Sequence, residues 1–334
     1  MFLLIDGFWA SGKSVLKSLL DGHPDLNVSP GQEAIFSSFY RNRKNFKKLS
    51  YKDLSVIRKI LSESYYYDLE KYNSGKHLTV DWGFKVNLDF YKFELFWTKK
   101  INDLKRWKVT DIIRIIHTSL IKSYYNINYS KAKKVIKVFM EDNNYDSHFF
   151  YLNNFKNSKL ILLNRDFGDV IASMINRRKN NKIIHTDNFN KINNYDYLIN
   201  KKLLCFKNEE NKKISNFLKS KFPNRVYICN FENLIFNTEN EMKKICNFLK
   251  IKYTKILIKN THFGKVTKRS DKKKNLGKKI FYKEKYLTTS QIKTLNIIEN
   301  NYSYKNLGII PIFSSLVLKC KYMMYKTIIT TKKN

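Results

Sequence analysis

Residues 7–14 read Gly7-Phe8-Trp9-Ala10-Ser11-Gly12-Lys13-Ser14, which satisfies G-x-x-x-x-G-K-[ST] at every specified position. Before them stands a short, continuous apolar run, Phe2-Leu3-Leu4-Ile5. After them Val15, Leu16, Leu19 and Leu20 recur at helical spacing, and Gly22 and Pro24 close the helix. Strand, small-residue loop and helix, in that order, are the context a phosphate-binding loop requires. Gly12 lets the backbone approach an anion closely. The N–H groups at the helix start point at that anion, and the helix dipole favours its charge. Lys13 adds a full positive charge and Ser14 a hydroxyl. The loop alone leaves open which phosphate compound binds.

Further along, Val135–Phe139 and Leu160–Leu163 are expected strands. The second leads through Asn164-Arg165-Asp166 into a helix carrying Val170, Ile171, Met174 and Ile175. Another strand, Val226–Cys229, precedes a helix with Met242, Ile245, Cys246 and Leu249 at i, i+3, i+4, i+7. Strands alternating with helices predict an α/β fold: a parallel β-sheet flanked by helices, in the three-layer manner of P-loop nucleotide-binding proteins. Residues of about 32–130 are helical and aromatic, with no Gly/Ser linker, and are expected to form a helical insertion. One domain is expected over 1–310, with a basic and apolar tail at 311–334.

Composition bounds the function. The 334 residues are 43% hydrophobic and 15% aromatic, which excludes a disordered chain. No run of eighteen apolar residues suggests a transmembrane helix. The net charge is +36, but lysine is spread along the whole chain and accompanies an excess of Asn, Ile, Tyr and Phe, the residues of AT-rich codons. The charge therefore predicts attraction for anionic ligands and salt-sensitive rates, and no specific nucleic-acid site. Cys205, Cys229, Cys246 and Cys320 show neither metal-ligand spacing nor a short disulfide framework, so free thiols are expected. The first residues lack the basic lead and long apolar stretch of a signal peptide, and a cytoplasmic location is the expectation. The tail is expected to pack as a terminal helix, with a weak membrane-surface contact as the alternative. Nothing in the sequence marks an oligomeric state.

The segment Arg165-Asp166-Phe167-Gly168-Asp169-Val170-Ile171-Ala172-Ser173 sends an Arg from a strand end and a Ser from the helix that follows. Together with the first loop it resembles the sulfotransferases that use 3′-phosphoadenosine 5′-phosphosulfate (PAPS). That family's first loop, with its helix and His-Pro turn, is matched by Ser11-Gly12-Lys13-Ser14 through His23-Pro24. Its R-D-P-x-D-V-x-x-S loop is matched by residues 165–173, and its Y-E-D-L element by Phe231-Glu232-Asn233-Leu234. Its C-terminal Gly-x-x-x-x-Asn-Ser loop is echoed by Gly264 through Arg269-Ser270. The chain departs at Ala10, where the family often has Arg or Lys, at Lys13 for Thr, Phe167 for Pro and Arg269 for Asn. The family's Lys-Thr-Pro stretch has no clear counterpart.

The resemblance implies that Ser11, Gly12, Lys13, Ser14 and Val15 hold the donor's 5′-phosphosulfate. It implies that Arg165 and Ser173 hold the 3′-phosphate, and that Lys268, Arg269 and Ser270 close over it. No metal is implied. The implied acceptor is a hydroxyl of a glycan or small molecule, met by the helical insertion. Glu33, shortly after the His-Pro turn, is the expected base, with His23 as its rival. Lys13 is expected on the leaving oxygen. His117, between apolar neighbours on a helix, is expected to be packed in the core. Two other readings compete: a P-loop kinase using ATP and magnesium, which needs a metal-holding carboxylate, and a non-catalytic polyanion-binding protein.

Overall fold

The computed structural model describes residues 1–8, 10–29, 35–42, 54–63, 76–77, 80–81, 89–105, 108–123, 136–140, 145–180, 211–262, 264–267, 287–289 and 292–293. Its elements begin with β1 (Phe2–Gly7), α1 (Lys13–Leu20), β2 (Leu26–Val28), α2 (Ile35–Arg41) and α3 (Leu54–Glu63). A two-strand pair, β3 (Lys76–His77) with β4 (Val80–Asp81), precedes α4 (Phe90–Asn102) and α5 (Val109–Lys122). Then come β5 (Ile136–Met140), α6 (Tyr145–Asn154), β6 (Ser158–Asn164), α7 (Phe167–Asn180) and a helix over 211–221, here α8. The series ends with β7 (Val226–Asn230), α9 (Phe231–Phe236), α10 (Thr238–Leu249), and the pair β8 (Thr261–His262) and β9 (Lys265–Val266).

The main sheet has the order β2-β5-β1-β6-β7, and every pairing in it is parallel. The expected strands are there, with ends shifted by at most two residues. β2 is the strand the sequence did not announce. Its three residues, Leu26-Asn27-Val28, are too few to show a period.

Both faces of the sheet are covered, which is why its central strands read as unbroken apolar runs. Leu3 and Ile5 of β1 face one core with Leu16, Leu19 and Leu20 of α1 and Met242, Ile245 and Leu249 of α10. Phe2 and Leu4 face the other, with Phe36, Phe39, Trp97, Ile113 and Tyr151. The helices of the expected insertion thus form the third layer. His117 lies in that layer as expected, fully buried with its ring 4.6 Å from that of Phe139. Burial, with Lys137 nearby, pushes its pKa well below the usual imidazole value. Among the described residues no helix is long and apolar enough to cross a membrane. Cys229 and Cys246 are buried free thiols; Cys205 and Cys320 lie outside the described residues.

One polar knot ties the layers. The Arg225 guanidinium donates to the carbonyls of Leu152, Phe155 and Ser158 and to the Ser158 hydroxyl. It satisfies carbonyls at and beyond the C-terminal end of α6, where no intrahelical donor is available, just before the chain enters β7. Arg225→Ala is expected to cost about 2–3 kcal/mol, the scale of charge-assisted hydrogen bonds whose acceptors lose their donor. Urea unfolding would show it as a lower midpoint at unchanged slope, and Arg225→Lys would recover only a fraction because a point charge cannot serve four acceptors.

Candidate active site

The site follows from the strand order. From β1 the chain turns to β2 on one side of the sheet; from β6 it runs to β7 on the other. Neighbouring strands whose connections leave in opposite directions open a crevice at their carboxyl ends, where open α/β sheets bind ligands. Here that crevice lies between β1 and β6, which pair from Phe2↔Ser158 to Gly7↔Leu163. The two loops read from the sequence leave from these two strands.

The first loop is tight. The Ser11 N–H donates to the Phe8 carbonyl, and Gly12, at φ 100°, precedes α1 without a side-chain cap. Helix-start N–H groups have no intrahelical acceptors, so the loop presents donors to an anion. A Cβ on Gly7 would stand 2.5 Å from the Leu163 carbonyl oxygen, so only glycine lets β1 lie this close to β6 at its end. Ala10 takes φ 57° without being glycine, a conformation that costs about 1–3 kcal/mol. The hydroxyl of Ser11 is wholly buried and has no hydrogen-bond partner among the described residues. An orphaned buried hydroxyl in a cradle of this kind fits a phosphate or sulfate oxygen. Ser14 at the helix start is exposed, its hydroxyl 3.9 Å from the Met140 sulfur. Val15 follows, its N–H bonded to the Gly12 carbonyl.

Lys13 does not extend into solvent. It is 7% exposed, and its Nζ lies 3.2 Å from Asp6 Oδ1. Asp6, wholly buried at the end of β1, also accepts the Gly7 N–H at 2.7 Å on Oδ1 and His148 Nε2 at 2.8 Å on Oδ2. Burial alone would raise the Asp6 pKa. The charge of Lys13, the His148 contact and the Gly7 N–H outweigh it and hold the carboxyl well below the usual range.

The second loop meets the first directly. Arg165, 6% exposed, donates from Nη1 to the Ala10 carbonyl at 2.8 Å. Its guanidinium also sits 4.4 Å from the centre of the Phe231 ring, and that ring presses on Gly12. Asp166 Oδ1 accepts the Asp169 N–H and so caps α7, while Glu232 Oε1 accepts the Asp166 N–H. Ser173 lies in the second turn of α7, half-buried.

The structure therefore brings Ser11, Gly12, Lys13 and Arg165 together. Glu33, Lys268, Arg269 and Ser270 lie outside the described residues. His23, the rival base, has both ring nitrogens engaged by backbone groups. Its Nδ1 accepts the Asp25 N–H, and its Nε2 therefore donates to the Lys252 carbonyl at 2.7 Å. It sits past the far end of α1, about 12 Å of helix from the phosphate loop. It is a structural pin between a turn and a distant loop.

Four residues of the cluster were not expected there: Asp6, His148, Phe231 and Glu232. The last two belong to the Phe-Glu-Asn-Leu element, whose place in the sequence gave no sign of what it touches.

Comparison with known proteins follows the same line. The profile of the sulfotransferase family matches residues 3–255. A search of curated protein sequences finds no match. Among solved structures, the sulfotransferase domain of the Synechococcus PCC 7002 olefin synthase aligns at 13% identity and TM-score 0.47, over 91% of this chain and 95% of that one. The sulfotransferase domain of the curacin biosynthetic pathway aligns at 16% identity and TM-score 0.45, over 91% and 93%. Retinol dehydratase, solved with androsterone and the inactive cofactor PAP, aligns at 12% identity and TM-score 0.38, over 92% and 82%. With three quarters of its length matched by the family profile, across both loops of the crevice, this chain belongs to the sulfotransferase family and is a transferase.

Proposed function

We propose that the protein moves a sulfuryl group from PAPS to a hydroxyl of a carbohydrate or glycan-like acceptor, without a metal. The observation that carries this reading is the joining of two cationic elements at one crevice: Lys13 on the β1 loop, and Arg165 on the β6 loop bonded to that loop's Ala10. A nucleotide with phosphates at both 5′ and 3′ positions needs two such elements side by side; a simple triphosphate needs only the first.

The bound donor supplies a sulfuryl group activated by its bond to a phosphate. Ser11, Gly12, Ser14 and Val15 hold the 5′ end through the loop N–H groups and hydroxyls. Arg165, with Ser173, holds the 3′-phosphate, and Lys268, Arg269 and Ser270 cover it. The acceptor oxygen bonds to sulfur as the bond from sulfur to the phosphate oxygen breaks. Lys13 stabilises the charge growing on that leaving oxygen, and Glu33 takes the acceptor's proton. The excess of lysine favours an anionic glycan over a neutral one.

Calorimetry with adenosine 3′,5′-bisphosphate, against adenosine 5′-monophosphate and against ATP with magnesium, tests the assignment. The bisphosphate is expected to bind tightest. In Arg165→Ala its advantage over the monophosphate is expected to fall about 10- to 100-fold, the worth of one charged contact, with the circular dichroism spectrum retained. An equal loss for both adenosine ligands, or tighter binding of ATP with magnesium that a chelator abolishes, would reject it.

A further inference from the structure

The buried acid behind the phosphate loop has no part in the reading above. Asp6 lies on β1, and its carboxylate stands between two layers of the fold. On Oδ1 it meets Lys13 at 3.2 Å and the Gly7 N–H at 2.7 Å; on Oδ2 it meets His148 of α6 at 2.8 Å. A full negative charge beneath an anion-binding loop opposes the anion it is built to receive. At several ångströms and a protein-surface dielectric, one unit charge is worth one or more kcal/mol. Its retention needs a reason.

The partners differ in mobility. Gly7 N is backbone and His148 is locked in a core helix, whereas Lys13 sits at the end of a flexible four-carbon stem at a helix start. If Lys13 leaves, Asp6 keeps a hydrogen bond on each oxygen, from Gly7 on one and His148 on the other. The carboxylate is thus built to survive the departure of the lysine without becoming a bare buried charge, the costly case. Lys13 in turn gains a second anion in the crevice when a phosphate arrives.

We propose that Asp6, braced by Gly7 and His148, is a positioning residue for Lys13: it holds the ammonium at the loop in the ligand-free protein and competes for it with the donor's phosphate. Donor affinity is reduced by this competition, and in exchange Lys13 is aimed along the loop when the leaving oxygen develops its charge. The proposal rests on the donor reading in naming the phosphate of PAPS as the competitor, but the competition itself concerns any anion seated in the loop.

The test separates affinity from turnover. Asp6→Asn is expected to tighten binding of adenosine 3′,5′-bisphosphate about tenfold, the factor of about 1.4 kcal/mol, while kcat falls at least tenfold. The tightening should be smaller in a Lys13→Ala background, where only the direct repulsion of the carboxylate remains to be relieved. Inorganic pyrophosphate serves as a second probe that needs no nucleotide site. Melting temperatures add a readout without ligand: Lys13→Ala should lower the midpoint only slightly, because Asp6 keeps its hydrogen bonds from Gly7 and His148. If wild type ignores the bisphosphate while Asp6→Asn still tightens pyrophosphate, the nucleotide reading fails and the competition stands. Weaker binding of both anions in Asp6→Asn, tightening undiminished without Lys13, or no change in either anion would overturn the proposal.

Discussion

Lys13→Ala is expected to lower kcat by about a hundredfold or more, with a much smaller change in acceptor KM. The ammonium lies at the start of α1, in a loop walled by β1, β6 and the Phe231 ring. A preorganised cationic donor aimed at developing charge is worth about 3 kcal/mol, and 1.4 kcal/mol is a factor of ten. On the proposed reading the larger part of its effect belongs to the transition state, and its ground-state contact with the phosphate, contested by Asp6, shows in donor affinity. Single-turnover assays at saturating donor would isolate the chemical step. Lys13→Arg should recover little, because a planar guanidinium does not fit the position 3.2 Å from Asp6 that the ammonium fills. A Lys13→Ala protein within threefold of wild type would show the leaving oxygen to be stabilised elsewhere.

Gly12→Ala is expected to abolish nucleotide binding, with affinity for the bisphosphate at least a hundredfold weaker. Two independent effects add. The backbone at φ 100° is one that side-chain-bearing residues rarely adopt. A Cβ there would stand 2.1 Å from Cδ2 of Phe231 and 2.2 Å from its Cε2. Phe231 cannot withdraw without disturbing the guanidinium lying over its ring. The methyl would therefore spoil the loop proposed for the 5′ end and unseat the arginine proposed for the 3′ end. Isothermal calorimetry measures the loss. Adding Phe231→Leu should regain thermal stability more than affinity, since the backbone conformation would remain strained. Undiminished binding in Gly12→Ala would show that the ring is free to move.

The frame of the fold was legible because its signals are local. Continuous apolar runs at Phe2–Ile5 and Leu160–Leu163 report strands buried on both faces, and Leu16, Leu19 and Leu20 report the inner face of a helix. The loop at residues 7–14 was legible as a motif because phosphate chemistry demands particular residues at fixed spacing. Asp6 escaped because a lone acid after an apolar run looks like a strand end meeting solvent; only the arrival of His148, 142 positions away, makes it a buried node. Phe231 escaped for the same reason, since its contact with Gly12 joins the loop between β1 and α1 to the helix that follows β7. His23 shows a related limit. Imidazole chemistry suggested a base, but the ring is used for its two hydrogen-bonding edges, and which backbone groups they meet depends on a loop some 230 residues later.

The central position of β1 sets a schedule for biosynthesis. Its neighbours in the sheet, β5 and β6, are encoded more than a hundred residues downstream, and the aromatic ring that seats the phosphate loop comes later still, at position 231. Of the sheet's strands, the first to be made thus waits longest for shelter. During that wait Phe2, Leu3, Leu4 and Ile5 form an uncovered adhesive edge, of the sort that slows the folding of proteins dominated by distant pairings and recruits chaperones. A nascent chain released before α9 is made would carry the whole loop motif and bind nothing with it.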